Sequence, residues 1–92
     1  MNVFIGVGRI IDVNVNGRLL KFNLALSQEK PCSVPCVLFD PDDEVRSNME
    51  QIENSGKLVW IQGRASTYEF EVRGKLVRKF EIVAYPSSIK PV

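Results

Sequence analysis

Apolar and polar residues alternate along most of this chain, and the alternation gives way to a helical period only once. The first β-type run, residues 2–11, is rich in Val and Ile, and its glycines suit the bends of a strongly curved strand. After a turn at Asn16-Gly17, Leu20, Phe22, Leu24 and Leu26 share one face, while Lys21, Asn23, Ala25 and Ser27 share the other. One face is therefore core and the other wet. A third run covers residues 34–39, with Pro35 marking an edge position or bulge near its start. Parity sets Phe39 opposite to Cys36 and Leu38, outside if those two are core. Then Asp40 reads as a helix N-cap, Pro41 as the first helical residue, and Asp42, Asp43 and Glu44 as carboxylates complementing the positive end of the dipole. Val45, Met49 and Ile52 make an i, i+4, i+7 stripe and Gly56 a stop, for a helix of about three turns. Strand character resumes at residues 57–64, and residues 68–85 form a hairpin folded at Arg73-Gly74, which sets Glu69 near Arg78 and Phe70 near Val77. This order predicts an all-β fold: a small, closed, five-stranded Greek-key barrel with one short α-helix between strands 3 and 4.

The 92 residues suffice for one core, so residues 1–92 form a single domain. No apolar run approaches the roughly 20 residues that span a bilayer, so no membrane association is expected. The N-terminus lacks a basic segment followed by a long apolar stretch, which places the chain in the cytoplasm (nucleoid) or an organelle interior.

Cys32 and Cys36 are the only cysteines and there is no histidine, so no zinc set can be completed and no cofactor is expected. Across extended chain their Cα atoms would lie on the order of 13 Å apart, too far for a disulfide. Cys36 reads as a small core residue and Cys32 as a loop thiol. The net charge of +1 conceals a division: residues 40–54 hold six acids against Arg46, a net of −5, which leaves +6 for the remainder. A polyanion would avoid the helix and approach the strands, where Arg9, Arg18, Lys21, Arg64, Arg73, Lys75, Arg78 and Lys79 sit.

Val37-Leu38-Phe39 ahead of a helix, followed by Gly56-Lys57-Leu58-Val59-Trp60-Ile61-Gln62-Gly63-Arg64, resembles the core motif of bacterial single-stranded DNA-binding proteins. Residues 2–10 look like that family's first strand, and Phe22-Asn23-Leu24-Ala25-Leu26 like its second. The resemblance covers most of the chain and extends to shorter relatives such as the primosomal replication protein. It implies an oligonucleotide/oligosaccharide-binding barrel that wraps single-stranded DNA, with RNA as a possible competitor. Bases would stack on Phe39, Phe70, Tyr68 and Trp60, and phosphates would meet Lys21, Arg64, Arg73 and Lys75. Stacking needs no sequence readout, because every base has a π-face. By the same resemblance the first strand, with Asn2, Phe4 and Gly6, would pair with its counterpart in a homodimer or homotetramer.

The strand parity of Trp60 leaves both core and surface open, and exposed Tyr68, Phe70 and Val72 equally suit a protein contact. The loop at residues 28–33 is short and carries no aromatic where the family has tryptophans, so weaker binding is expected. The residues up to Ile89-Lys90-Pro91-Val92 include no tail of the kind by which family members recruit enzymes, so recruitment by that route is not expected. Without histidine, a phosphate loop or a nucleophile motif, catalysis is not expected. The leading expectation is sequence-tolerant single-stranded DNA binding in replication, repair or recombination. The alternative is a protein-interaction or assembly module that kept the barrel and lost its nucleic-acid affinity.

Overall fold

The computed structural model describes residues 2–27 and 32–92. Five strands and a helix follow the expected order: β1 (Phe4–Asn16), β2 (Leu19–Ser27), β3 (Cys32–Phe39), α1 (Asp43–Ser55), β4 (Leu58–Val72) and β5 (Lys75–Ala84). The sheet runs β1-β2-β3-β5-β4, and β1 closes on β4 to complete a ring of five. Of the short loop expected at residues 28–33, residues 28–31 lie outside the described residues, and Cys32 and Ser33 belong to β3 rather than to a loop.

Inward side chains from every strand meet in one core of Ile10, Leu20, Phe22, Leu24, Cys36, Leu38, Val59, Ile61, Ile82 and Ala84. Helix α1 adds Met49 to it, with Val45 and Ile52 packed alongside, as the stripe in the sequence predicted. Leu26 departs from the alternation and is exposed. The β2–β3 register shifts between Ala25 and Ser27, so the end of β2 no longer follows the barrel wall. Pro35 sits opposite Asn23, one residue before β3 meets β5 at Cys36 and Val37.

Cys32 is exposed and Cys36 buried, and both are free thiols. Burial, reinforced by the Glu81 carboxylate, pushes the Cys36 thiol up to about 12, so at neutral pH it is an inert packing group.

The helix begins two residues later than its acidic run suggested. Asp42, not Asp40, is the N-cap, its Oδ1 accepting the Val45 N–H at 2.8 Å. Asp40 is taken up elsewhere: its N–H donates to the Arg18 carbonyl at 2.7 Å, tying the end of β3 to the β1–β2 turn at φ 45°. Gly56 ends the helix in the left-handed region, as expected.

Two irregularities shape the barrel. The β1–β2 register shifts between Ile11 and Asn14, a bulge at which Asp12 adopts φ 57°. The bulge frees the Val13 N–H, which donates to Glu53 Oε2 of α1 at 2.8 Å and so docks the helix. After β5 the chain leaves β4 in a 3₁₀ turn, Pro86–Ser88, and rejoins it as a two-residue β6, Lys90–Pro91. Ser88 Oγ fills the interrupted ladder, accepting the Gln62 N–H at 2.9 Å and lying 2.9 Å from the Gln62 carbonyl, to which it can donate.

Candidate nucleic-acid interface

Four positions stand in register across the outer wall. Lys21 of β2 faces Val37 of β3, Val37 lies beside Val83 of β5, and Val83 faces Arg64 of β4. Both valines are buried, so the row presents a cation at each end, three strand spacings or about 14 Å apart. Phe39 closes β3 on the same face, paired with Leu19 and 54% exposed.

Beyond Arg64, β4 and β5 leave the barrel as a two-stranded arm in unbroken register from Gly63↔Ala84 to Val72↔Lys75. Arg73 (φ 51°) and Gly74 (φ 76°) turn its tip with two positive φ angles, the signature of a tight primed hairpin turn. Alternation carries the face of Arg64 outward through Tyr68 and Phe70 on β4 and through Lys79, Val77 and Lys75 on β5. The Tyr68 and Phe70 rings stack with centroids 6.0 Å apart and planes at 28°, and the Lys79 ammonium sits 5.8 Å from the Phe70 centroid. On the opposite face of the arm Glu69 binds Arg78, its Oε1 accepting from Arg78 Nε at 2.9 Å. That cross-strand pair, expected from the turn position, keeps the Arg78 charge away from the aromatic ladder.

Where the arm diverges from β3 a groove of about 310 Å³ opens. Asp12, Asn14, Lys21, Asn23 and Pro35 line its barrel side, and Tyr68, Lys79 and Glu81 its arm side.

Lys21, Phe39, Arg64, Tyr68 and Phe70 are thus brought together on one continuous face, with Arg73 and Lys75 at the tip of its arm. Trp60 is not among them. It pairs with Val7 where β4 closes on β1, and lies 49% exposed on another wall with Ile5, Val7 and Leu58. Of Asn2, Phe4 and Gly6, Asn2 is exposed and the other two are half-buried. Phe4 packs against the core, and a Cβ on Gly6 would meet the Phe4 ring at 2.8 Å. Asn2 holds the Ala65 peptide, Oδ1 accepting its N–H at 2.9 Å and Nδ2 donating to its carbonyl at 2.5 Å. The exposed side of that segment belongs to Val3, Ile5 and Val7. Sequence reasoning missed Asp12, Asn14, Asn23 and Glu81 as site residues. Among the described residues no three His, Cys, Asp or Glu side chains cluster as metal ligands would.

The mitochondrial single-stranded DNA-binding protein Rim1 of S. cerevisiae superposes with a TM-score of 0.63 at 24% identity, over 91% of this chain and 87% of that one. A selenomethionine-labelled structure of it gives 0.68 at 18% identity, over 91% and 88%. The Plasmodium falciparum protein, in complex with single-stranded DNA, gives 0.64 at 16% identity, over 90% and 85%. The fold is the oligonucleotide/oligosaccharide-binding barrel. In this barrel ligands are bound on the face of strands 2 and 3, between the loops joining strands 1–2 and 4–5. Here that region is the face of Lys21, Phe39 and the β4–β5 arm. No family model matches the sequence, and no curated protein matches it.

Proposed function

We propose that this protein binds single-stranded DNA, largely independently of sequence, in replication, repair or recombination. The observation that carries this reading is the continuous face on which Phe39, Tyr68 and Phe70 alternate with Lys21, Arg64 and Lys79. Flat rings spaced among cations suit a strand whose bases stack while its phosphates are neutralised, and two smooth grooves of a duplex offer such rings nothing. The role is that of a binder without catalysis. The compartment it implies is one that holds single-stranded DNA, a nucleoid or organelle interior, and RNA is the competitor to include.

Fluorescence anisotropy of a labelled oligo-dT, titrated at two salt concentrations beside a duplex, tests the reading. Saturable, salt-weakened binding to the single strand is expected, with the duplex bound far more weakly. Arg64→Ala should weaken every sequence alike and reduce the slope of log K against log salt by about 0.7, one single-strand phosphate contact. A loss confined to one sequence would contradict phosphate contact. Absence of binding at low salt would transfer the protein to the assembly reading.

A second surface favours self-association. Ile5, Val7, Leu58 and Trp60 form an exposed apolar patch on the β1/β4 wall, away from the proposed DNA face. A second copy of this chain is its occupant in this reading, giving a homodimer or homotetramer that leaves the DNA face open. Val7→Glu should reduce the sedimentation mass to that of the 10.4 kDa monomer with the fold intact. An unchanged mass would remove this patch as the contact.

A further inference from the structure

We infer that the groove between the arm and the β1 bulge is a base-selective subsite that takes guanine from the bound strand. The inference rests on the single-stranded DNA reading and adds to it a preference that stacking alone does not create. The groove's 310 Å³ is at the small end of ligand pockets, adequate for one flat base rather than a run of them. Its charged groups are of two kinds. Asp12 from the barrel side and Glu81 from the arm side supply carboxylates, while Lys21 and Lys79 supply ammonium groups. With two carboxylates offsetting two ammonium groups the groove has no net positive charge to hold a phosphate, so it suits the base end of a nucleotide.

The carboxylate at Asp12 is held in place. The bulge fixes its backbone at φ 57°, and Asn23 Nδ2 donates to Oδ2 at 3.1 Å, which leaves Oδ1 to accept from a ligand. Tyr68 lines the same groove and can support the face of a base there.

Among the four bases, guanine alone presents two adjacent donors, the ring N1–H and the exocyclic amine, beside a carbonyl oxygen. A carboxylate accepts both donors at once, Asp12 through Oδ1 and the lone pair of Oδ2 that Asn23 leaves open, and an ammonium group donates to the carbonyl. Adenine would set the N1 lone pair against a carboxylate, and cytosine the N3 lone pair. Thymine flanks its one N–H with two carbonyls that a carboxylate repels.

The test is anisotropy titration of the full chain with labelled oligo-dT carrying one central dG, deoxyinosine, dA or dC. The dG oligonucleotide should bind at least about fivefold more tightly than the dA and dC ones, the range of a good bidentate base contact. Deoxyinosine, which lacks the exocyclic amine, should fall between. Asp12→Asn should abolish the preference while oligo-dT affinity persists, and asparagine tolerates the left-handed backbone at the bulge, so the fold is kept. Glu81→Gln is the second variant and should also reduce the preference. Equal affinities for all four oligonucleotides, with oligo-dT still bound, would overturn the subsite and leave the parent reading standing. A preference that survives both variants would overturn it as well. No binding of any oligonucleotide would remove the subsite together with the DNA reading.

Discussion

Gly63→Ala is expected to lower the thermal unfolding midpoint by on the order of 15 °C. A Cβ at Gly63 would lie 2.3 Å from the Val83 carbonyl oxygen and 2.9 Å from the Ile82 side chain. The oxygen belongs to the backbone of β5 at the point where β4 and β5 leave the barrel together, so relief requires the two strands to separate. Overpacking of that kind costs about 3 kcal/mol, and each kcal/mol is worth roughly 4–8 °C in a domain of this size. Gly8→Ala should behave similarly, its Cβ meeting the Ala25 carbonyl oxygen at 2.4 Å. Gly6→Ala should cost less, because the nearest atoms are the far end of the Phe4 ring, which can rotate away. Calorimetry on the three variants checks the order. A Gly63→Ala midpoint within about 5 °C of the parent would mean that the β4–β5 junction is more pliable than its geometry indicates.

Local periodicity was sufficient wherever a residue's neighbours in space are its neighbours in the pattern: the β2 face, the Val45–Met49–Ile52 stripe, and the Glu69–Arg78 pairing. It was insufficient wherever a distant contact decides between two equal local choices. Asp40 and Asp42 are equivalent as caps until Arg18, from another turn, claims the Asp40 N–H. Trp60 and Arg64 share a strand parity, and only the closure of β1 onto the first half of β4 sends them to different walls.

The groove was hidden for a related reason. The sequence pattern marks residues 2–11 as a strand, whereas β1 continues to Asn16 through the bulge. Its trace is present in the sequence as a change of parity: Ile10 is buried on even numbering, and Val13 packs on the core on odd numbering. That switch turns Asp12 out of the ladder and toward Asn23. The same even parity turns Phe4 and Gly6 inward with Gly8 and Ile10.

Phe70→Ala is expected to weaken oligo-dT binding by about fivefold to a hundredfold, the worth of one base stack. The side chain lies outside the barrel core, supported by the Tyr68 ring and the Lys79 ammonium rather than by core side chains. Its removal should therefore leave the unfolding midpoint nearly unchanged, which separates this loss from that of Gly63→Ala. It should also separate from Arg64→Ala by its salt dependence. A lost stack lowers affinity by the same factor at both salt concentrations, whereas a lost cation changes the slope. Tyr68→Ala should cost at least as much, because Tyr68 both stacks on Phe70 and lines the groove. Trp60→Ala, on the β1/β4 wall, should leave oligonucleotide affinity where it was. Should Phe70→Ala bind within twofold of the parent while Trp60→Ala binds poorly, the strand would run over the β1/β4 wall, and the aromatic ladder of the arm would be a surface for a protein partner.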